Sequence, residues 1–296
     1  MESDFKIAVI GMGLIGGSLT YALRGFRNAE IVGCDIDAKT REMAIKEKAV
    51  SFATGNPAEA ISGADLVILC TYPTLIPKIL RENRDCLKPG AVVTDVCGIK
   101  RNIAKEICQS LPDGVDYVGG HPMAGTENSG FSYATPELFW MTGFIVTPMP
   151  DAKASSIALV KEMAHYIGAT RITQATFEEH DGVIAYTSDL MHIAAAGLCL
   201  DFHPNMNRAY TAGAFRDCTR IAKINPDLWT ELFLDNKENV VAEIDRYLRS
   251  LNRIRNAIQE ENAGELHSLL ETVARNKEIM RNKEPEFLAD EKKGNE

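Results

Sequence analysis

A glycine-rich turn near the start of the chain constrains the fold more than any other feature. The apolar run of residues 6–10 stops at the turn Gly11-Met12-Gly13-Leu14-Ile15-Gly16, and residues 17–23 then have helical character. Between a strand and a helix, the pattern G-x-G-x-x-G permits a tight turn, close approach of the backbone to a pyrophosphate and close packing of helix on strand. The helix start also offers free amides and a positive dipole end to phosphates. The predicted cofactor contacts in this turn are Gly11, Gly13, Leu14, Ile15 and Gly16.

An acidic residue follows the next predicted strand. The run of residues 30–34 ends at Asp35, at about the 20-residue distance from the glycines that dinucleotide sites use. A carboxylate here can accept both ribose hydroxyls of NAD and would repel the extra phosphate of NADP. No arginine stands among residues 36–39. We therefore predict NAD as the cofactor, and an α/β turn that binds no phosphate is the alternative.

Strand and helix patterns alternate through the first half of the chain. Apolar runs at 64–70, 91–96, 115–118, 143–147 and 170–173 are separated by helical patterns at 38–47, 75–86, 101–109 and 151–167. This alternation predicts an α/β fold with a Rossmann-type, doubly wound parallel sheet, which we assign to residues 1–173. Ligands of such sheets lie beyond the carboxyl ends of the strands. The residues expected to line that crevice are Thr71, Cys97, Gly98 and His121.

The second half shows helix signals only. Residues 178–200 are expected to form one long helix, Gly213 is expected in a loop, and apolar residues recur at helical spacing in 228–262 and 264–280. These helices have more apolar faces than one compact monomer needs. We therefore predict an all-helical domain over residues 174–283 that binds substrate and forms a homodimer, with packing inside the monomer as the alternative. The charged tail, 284–296, is expected to be disordered.

Composition excludes several classes of partner. A net charge of −9 argues against nucleic acid and anionic membranes as general partners, because both need a basic surface. The longest purely apolar stretch, residues 193–200, is far shorter than the roughly 20 residues that span a bilayer, and the first residues do not resemble a signal peptide. Seven scattered cysteines without a C-x-x-C pair are typical of a reducing compartment, and no metal site is predicted. We expect a cytoplasmic protein.

One histidine stands where chemistry is plausible. His121 follows the strand-like run 115–118 and opens a stretch rich in glycine and proline. Histidine is the side chain most readily tuned to accept a proton near neutral pH, and such a loop lets a ligand approach closely. We therefore predict that His121 is catalytic, and a loop histidine without a role is the alternative.

Two longer motifs carry a specific resemblance. The first is Gly120-His121-Pro122-Met123-Ala124-Gly125, and the second is Phe215-Arg216-Asp217-Cys218-Thr219-Arg220-Ile221-Ala222. Together with the glycine turn, over about residues 5 to 283, they make the chain resemble the prephenate dehydrogenase family, which includes relatives that use arogenate. The resemblance implies that NAD oxidises prephenate, with loss of carbon dioxide, to 4-hydroxyphenylpyruvate on the route to tyrosine.

The resemblance also implies roles for two residues. His121 would accept the proton of the C4 hydroxyl as hydride leaves, so it has to be neutral. Arg220 would hold the side-chain carboxylate of the substrate through two parallel hydrogen bonds. The ring carboxylate should be held less tightly, because it leaves as carbon dioxide.

Further substrate contacts follow from the same resemblance. Glu127 would pair with the arginine and gate the pocket, or hold the ammonium group of arogenate. His192 would face the substrate, His180 would lie near the pocket, and Trp229 would cover the substrate from its own chain or from a partner subunit. Each of these has a purely structural role as its alternative. The predicted substrate-binding residues are Arg220, Glu127, His192, Thr126, Trp229 and His180.

The sequence departs from the family pattern at two places. Many relatives have Gly-Ser where this chain has Cys97-Gly98, so the serine hydroxyl is absent and the hydrogen-bond partner of His121 is open. Water or the Cys97 thiol are the substitutes to consider. A common Ser-His-Leu-Pro-His sequence stands here as Ser188-Asp189-Leu190-Met191-His192, and Asp189 would pair with His192 or face solvent.

Three other functions compete with prephenate oxidation. An arogenate or dual-substrate enzyme differs only in the preference for an amine or a keto group. A 3-hydroxyacid dehydrogenase shares the glycine turn and the helical second half, but relies on a lysine there rather than on a loop histidine. A catalytically silent NAD-binding redox sensor would have no need of His121 together with Arg220.

Overall fold

The computed structural model describes residues 5–201, 203 and 205–282 of the chain. Its centre is an eight-stranded sheet in the order β3-β2-β1-β4-β5-β6-β7-β8. The strands are β1 Lys6–Ile10, β2 Glu30–Cys34, β3 Phe52–Thr54, β4 Leu66–Leu69, β5 Val92–Asp95, β6 Asp116–Pro122, β7 Gly143–Pro148 and β8 Arg171–Gln174. In this order β1 lies next to β4 and the direction of the strand order reverses between them, which is the arrangement of a doubly wound sheet.

Both faces of the sheet are covered, which explains why its central strands contain continuous apolar runs. In β1, Ile7 and Val9 are fully buried in one hydrophobic core, while Ala8 and Ile10 are buried in a second core on the other face. A strand with two buried faces has no solvent side and so shows no alternation of apolar and polar residues. The predicted α/β fold is therefore confirmed.

The sheet is not parallel throughout. Strand β7 runs antiparallel to β6, with Gly120 opposite Val146 and His121 opposite Ile145, and β8 is parallel to β7. The predicted parallel sheet thus contains one antiparallel strand pair, at this edge. In addition, β6 continues through residues 119–122, so His121 lies on a strand and not at the mouth of a loop.

The helices that cover the sheet are α1 Leu14–Ala22, α2 Ala38–Lys46, α3 Pro57–Ile61, α4 Ile76–Glu82, α5 Arg101–Ser110 and α6 Ala154–Tyr166. The expected helix over 75–86 is shorter than predicted, because tighter 3-10 turns precede it and follow it. Strand β3 and helix α3 were not predicted, since both are too short to show a periodic pattern.

After the sheet the chain is helical, as predicted. The helices are α7 Phe177–Ile184, α8 Leu190–Leu200, α9 Gly213–Thr219, α10 Pro226–Asp235, α11 Lys237–Gln259 and α12 Ala263–Asn282. Gly213 begins α9 and does not lie in a loop as expected. Thr176 caps α7 through a reciprocal pair of hydrogen bonds with Glu179, which satisfies amides of the first turn.

A π turn, Ala185–Asp189, joins α7 to α8 within one continuous helix. In a regular α-helix each residue advances about 100°, so His180 and His192 would lie roughly 120° apart around the axis. A π turn inserts one extra residue and removes about 100° of that difference. Both imidazoles therefore lie on nearly the same side of the helix.

Among the described residues, the continuous helix Phe177–Leu200 is the one segment long and apolar enough to cross a membrane by length and composition alone. It contains three buried polar residues: His180 contacts His121 on β6, Asp181 accepts the amides of Lys100 and Arg101 at the start of α5, and Asp189 accepts a hydrogen bond from Asn236, which follows α10. These bonds hold the first part of the segment in the interior of the first unit.

The chain divides into two compact units after Val240. The first unit contains the sheet, helices α1 to α10 and the start of α11, so residues 177–240 belong to the same unit as the sheet. The second unit consists of the rest of α11 and helix α12, and its exposed apolar side chains include Leu251, Ile258, Leu270 and Val273. The boundary expected at residue 173 stays a prediction, and the expected disordered tail, 284–296, lies outside the described residues.

Candidate active site

The glycine turn sits at the carboxyl end of β1, between the ends of β2 and β4. A side chain at Gly11, where φ is +93°, would collide with the Cys70 carbonyl, and a Cβ at Gly16 would lie 1.9 Å from the Gly11 carbonyl oxygen. A Cβ at Gly13 would meet nothing within 4 Å. Two glycines are therefore required by the protein itself, whereas Gly13 leaves free space at the start of α1.

Asp35 closes one side of this turn. Its Oδ2 accepts a hydrogen bond from the Met12 amide at 2.8 Å, and its Oδ1 accepts one from the Asp37 amide at 2.9 Å. Arg41 lies two residues after the stretch 36–39. Its Nη1 donates to the carbonyl oxygens of Asp35 and Ile36. Asp35 is thus fixed against the glycine turn with part of its surface exposed, as a ribose-binding carboxylate requires.

Thr71, at the end of β4, offers a separate indication of a ligand. Its Oγ1 is buried and makes no hydrogen bond within the described part of the chain, while its methyl group borders Gly11. Buried hydroxyls are rarely left unpaired, so such a group next to a glycine turn fits an absent polar ligand. The chemistry of these residues matches the predicted dinucleotide.

Two fully buried charges organise the turn that follows β5. Lys100 Nζ lies 2.5 Å from Asp95 Oδ2 and donates to the Cys97 carbonyl oxygen at 2.8 Å. Asp95 also accepts hydrogen bonds from the Cys97 amide and from the Tyr117 hydroxyl. Removing one partner would leave a charge buried without compensation, so this pair holds the turn in a single conformation.

The same turn contains Cys97 and Gly98, and its conformation shows which space a serine side chain at residue 98 would occupy. Cys97 is buried, burial raises the pKa of its thiol well above the usual value, and its Sγ lies 4.0 Å from the Thr71 carbonyl oxygen. Its amide, carbonyl and thiol all face protein groups, and the expected cofactor contact of Cys97 stays a prediction. A Cβ at Gly98 would lie 3.9 Å from His121 Nε2. The space that a serine would occupy is thus beside this imidazole nitrogen.

His121 has its hydrogen-bond partner on the opposite side of the ring. Its Nδ1 lies 2.8 Å from His180 Nε2, and His180 Nδ1 lies 2.7 Å from Asp181 Oδ1. The sequence left water or the Cys97 thiol as the partner, and the structure shows His180 instead. Burial, the neighbouring His180 and the positive charge of Lys100 hold the pKa of His121 well below its ordinary value. The ring is therefore neutral at physiological pH.

His180 is almost fully buried in this structure, and its predicted substrate contact stays a prediction. Its side chain is only 1 % exposed, and both ring nitrogens face other side chains. Asp181 accepts further hydrogen bonds from the amides of Lys100 and Arg101 at the start of α5. Nothing in the composition of the His180-Asp181 pair distinguishes it from an exposed helix pair, so its position could not be read from the sequence.

The remaining predicted residues form a second group around α8. Arg220 Nη1 lies 3.4 Å from Glu127 Oε2, and the residues that follow Arg220 pack against α8. The rings of His192 and Trp229 stack with centroids 3.7 Å apart. Burial and the charge of Arg220 lower the pKa of His192, whose Nδ1 lies near the Ser188 carbonyl. The structure thus brings Arg220, Glu127, His192 and Trp229 together within one chain.

Two predicted contacts have other positions. Thr126 is exposed, and its Oγ1 accepts a hydrogen bond from the Asn128 amide within its own loop. Asp189 does not pair with His192 and does not face solvent; its Oδ2 accepts a hydrogen bond from Asn236 at 3.1 Å. Burial, together with the nearby negative charge of Asp181, raises the pKa of Asp189 to about 6. Within the described residues no cluster of metal-ligating side chains occurs.

Comparisons with known proteins agree with this arrangement. Residues 20–173 match the family model described as the nucleotide-binding domain of prephenate dehydrogenase, and residues 176–272 match its dimerization domain. Prephenate dehydrogenase of Bacillus subtilis is 31% identical over 278 residues, which are 90% of this chain and 73% of the relative. Cyclohexadienyl dehydrogenase of Zymomonas mobilis is 31% identical over 261 residues, 85% of this chain and 88% of the relative.

Solved structures are similar over almost the whole chain. The crystal structure of Aquifex aeolicus prephenate dehydrogenase, in complex with hydroxyphenyl propionate and NAD+, is 30% identical with a TM-score of 0.84. The match covers 94% of this chain and 99% of that one. Synechocystis arogenate dehydrogenase is 28% identical with a TM-score of 0.78, and the match covers 93% of this chain and all of that one.

Proposed function

The chain belongs to the prephenate dehydrogenase family, and we propose that it is an NAD-dependent enzyme that oxidises and decarboxylates prephenate to 4-hydroxyphenylpyruvate. The observation that carries this proposal is the position of His121. A neutral imidazole lies at the same edge of the sheet as the glycine turn, with its Nε2 edge next to the space at Gly98. A base at this position can take a proton from a substrate that lies over the carboxyl ends of the strands.

Residues of the glycine turn would hold the cofactor. Gly13 leaves room for the pyrophosphate, Asp35 would accept the ribose hydroxyls, and Thr71 Oγ1 would find the partner that it lacks in the protein. When bound, NAD accepts hydride from the C4 carbon of the substrate. The same carboxylate disfavours the additional phosphate of NADP.

His121 would remove the proton of the C4 hydroxyl as the C4 carbon is oxidised to a carbonyl. The carbon–carbon bond to the ring carboxylate then breaks, and its electron pair enters the ring, which becomes aromatic as carbon dioxide leaves. The C4 oxygen regains a proton from the imidazolium, so His121 ends the cycle neutral. A base of this kind typically contributes about 10²- to 10⁴-fold in rate.

Arg220 would bind the carboxylate of the pyruvyl side chain. A guanidinium can form two parallel, charge-assisted hydrogen bonds to one carboxylate, which fixes orientation as well as affinity. The stacked rings of His192 and Trp229 would form an adjoining wall of the pocket. A substrate held at the arginine would then present its ring toward His121.

A dual-substrate enzyme is the second candidate, and Glu127 is the observation that favours it. Arogenate carries an ammonium group where prephenate carries a keto group. Glu127 Oε2 lies 3.4 Å from the arginine that would bind the neighbouring carboxylate, so this acid is placed to accept an ammonium group. One relative in the comparisons is a cyclohexadienyl dehydrogenase.

We further propose a cytoplasmic homodimer that forms through the C-terminal helices. The match to a dimerization domain over residues 176–272 supports the dimer, as do the exposed apolar side chains of α11 and α12. All seven cysteines are free, which supports a reducing compartment. The net charge of −9 disfavours nucleic acid and anionic membranes as partners.

A direct assay tests the function. Protein is mixed with NAD and either prephenate or arogenate, and formation of NADH is followed by absorbance. We expect NADH with prephenate, and a fall in kcat of about 10²- to 10⁴-fold in His121→Asn with little change in NAD affinity. NAD binding without NADH formation from either substrate would favour the silent sensor. A wild-type rate in His121→Asn would remove the base from the proposal.

A further inference from the structure

We propose that His180 and Asp181 are positioning residues that select which nitrogen of His121 carries the proton, so that Nε2 is left free as the base. This inference rests on the proposed function only for its consequence in catalysis. The proton assignment itself is a property of the protein and can be measured without substrate.

The three side chains form one line of contacts. His121 Nδ1 lies 2.8 Å from His180 Nε2, and His180 Nδ1 lies 2.7 Å from Asp181 Oδ1. The contact between the imidazoles joins β6 to α7, and His180 is too deeply buried to touch a substrate. The pair therefore acts on chemistry through His121.

Because Asp181 can only accept a hydrogen bond, it determines which nitrogen of His180, and then of His121, carries the proton. The Asp181 carboxylate can only accept, so His180 carries its proton on Nδ1 and keeps a lone pair on Nε2. That lone pair requires His121 to donate from Nδ1. A neutral imidazole has one N–H, so His121 Nε2 must carry the free lone pair.

This assignment matters because an isolated neutral histidine prefers the opposite form, with its proton on Nε2. In that form the atom beside Gly98 would be a donor and could not take a proton. The orienting carboxylate of catalytic triads acts by the same logic, and its replacement leaves the geometry intact but populates the wrong tautomer.

Asp181 is itself held in place from three directions. Its two carboxylate oxygens accept the amides of Lys100 and Arg101 at the start of α5, at 2.9 and 2.8 Å. Its backbone carbonyl accepts a hydrogen bond from Asn236 at 3.0 Å. Amides at a helix start also stabilise negative charge. The carboxylate is therefore a hydrogen-bond acceptor in a fixed orientation.

Magic-angle-spinning NMR of protein labelled with 13C and 15N in its histidines tests the assignment. Carbon–nitrogen correlations distinguish the two ring nitrogens, and the His121→Asn variant identifies the signals of His121 by their loss. At pH 7.5 we expect a protonated Nδ1 and an unprotonated Nε2 for His121 in the wild-type protein. A proton on Nε2 would overturn the proposal, whatever the outcome of the activity assay.

His180→Phe provides the second test, because it keeps a ring of similar size but removes both contacts. We expect kcat to fall about 10- to 100-fold, within the contribution of a general base, with KM within about twofold. The Nε2-protonated form of His121 should then appear in the spectrum. His165→Phe, at an exposed histidine of α6, is the matched control and should change neither signal nor rate.

The outcomes separate this inference from the proposed function. A His180→Phe variant that binds NAD, keeps the wild-type kcat and retains a proton on Nδ1 of His121 would overturn the positioning role. If that variant does not fold, the wild-type spectrum alone decides the proton assignment. If His121→Asn proves fully active, the catalytic base fails while the tautomer measurement still stands.

Discussion

Arg220 Nη1 lies 3.4 Å from Glu127 Oε2, so the cation assigned to the substrate carboxylate already contacts an acid of the protein. Both side chains are partly exposed, and pairs of this kind contribute little to stability, typically below about 1 kcal/mol. A weak pair of this kind can open for a substrate carboxylate at small cost. We expect the substrate carboxylate to replace Glu127 as the partner of the guanidinium.

Loss of the guanidinium should act on binding rather than on turnover. In Arg220→Gln we expect KM for prephenate to rise about 10- to 100-fold, because a charge-assisted bidentate contact is lost. The kcat should stay within about threefold of the wild-type value. Arg220→Lys keeps the positive charge but cannot form the bidentate contact, so its KM should lie between those of the wild type and Arg220→Gln. Steady-state kinetics measure both constants. The exposed Arg216→Gln is the control, and an unchanged KM in Arg220→Gln would contradict the assignment.

Neutralising the acid should separate the two candidate substrates. In Glu127→Gln we expect KM for prephenate to stay equal or fall by up to about fivefold, because a competing partner of Arg220 is weakened. With arogenate we expect kcat/KM to fall, because the partner of its ammonium group is lost. Kinetics with both substrates check this. If kcat/KM changed by the same factor for both substrates, Glu127 would not bind the ammonium group of arogenate.

The space at Gly98 should be needed for the reaction and not for folding. A Cβ there makes only ordinary contacts, 3.8 Å from Leu232 and 3.9 Å from His121, so Gly98→Ala should keep its melting temperature within about 2 °C. Gly98→Val sends two further methyl groups into the space beside Nε2. We expect its kcat/KM to fall by about 10²-fold, which is the lower end of the rate contribution of a general base. Equal activity of the two variants would place the reacting group elsewhere.

The glycine turn offers a matched pair of substitutions. Gly13→Ala meets no protein atom, so it should fold normally but weaken NAD binding by about tenfold or more, because the backbone can no longer approach the pyrophosphate. Gly16→Ala would place its methyl 1.9 Å from the Gly11 carbonyl oxygen and should lower the melting temperature as well. Calorimetric titration with NAD and thermal unfolding distinguish the two. Normal NAD affinity in Gly13→Ala would contradict the pyrophosphate position.

Asp189 should make stability depend on pH in an unusual direction. Burial raises its pKa to about 6, above the value of 3.8 for a free carboxyl group, so the folded state binds the proton more tightly than the unfolded state. Its contribution to stability is therefore full below about pH 4 and is lost as the pH rises through about 6. Asp189→Asn keeps the acceptor for Asn236 without the charge, so we expect a melting temperature a few degrees higher at pH 8 and little difference at pH 4.

Thermal unfolding at both pH values checks this expectation. The control is Asp217→Asn at an exposed position of α9. A variant that is stabilised equally at both pH values would show that the effect does not come from titration of the carboxyl group.

The cofactor half of the site could be predicted because its determinants are local. Gly11 and Gly16 lie in one strand–turn–helix unit, in which the Gly11 carbonyl oxygen sets the steric limit at Gly16, and Asp35 follows the next strand at a regular distance along the chain. The pattern predicts the contacts before any long-range packing is known.

The strand position of His121 could not be predicted in this way. Glycine and proline are disfavoured in strands, so Gly119, Gly120 and Pro122 favour a loop. The structure explains them by contacts across the sheet. A Cβ at Gly119 would lie 2.3 Å from Thr147 Oγ1, and one at Gly120 would lie 2.9 Å from the Asp95 carbonyl oxygen. Such close approach of β5 and β7 depends on pairing that the local sequence does not encode.

The partner of His121 was missed for a related reason. His180 lies 59 residues away along the chain, and nothing in the sequence around either histidine shows that their rings meet. Asp95 and Lys100 were also missed, although both are fully buried charged residues. Their five-residue separation across a turn gives no periodic signal, and only the folded core shows that each is the counter-ion of the other.

Because of the π turn at Ala185–Asp189, the number of residues in this segment determines the direction of His192 around the helix axis as much as the residue types do. Deleting one residue there would restore an ordinary helix and swing His192, with everything beyond it, about a quarter to a third of a revolution away from His180. No single side-chain replacement can produce that rotation. Relatives that differ by one residue in this segment should therefore differ in the shape of the whole substrate chamber, even where every ligand is the same amino acid.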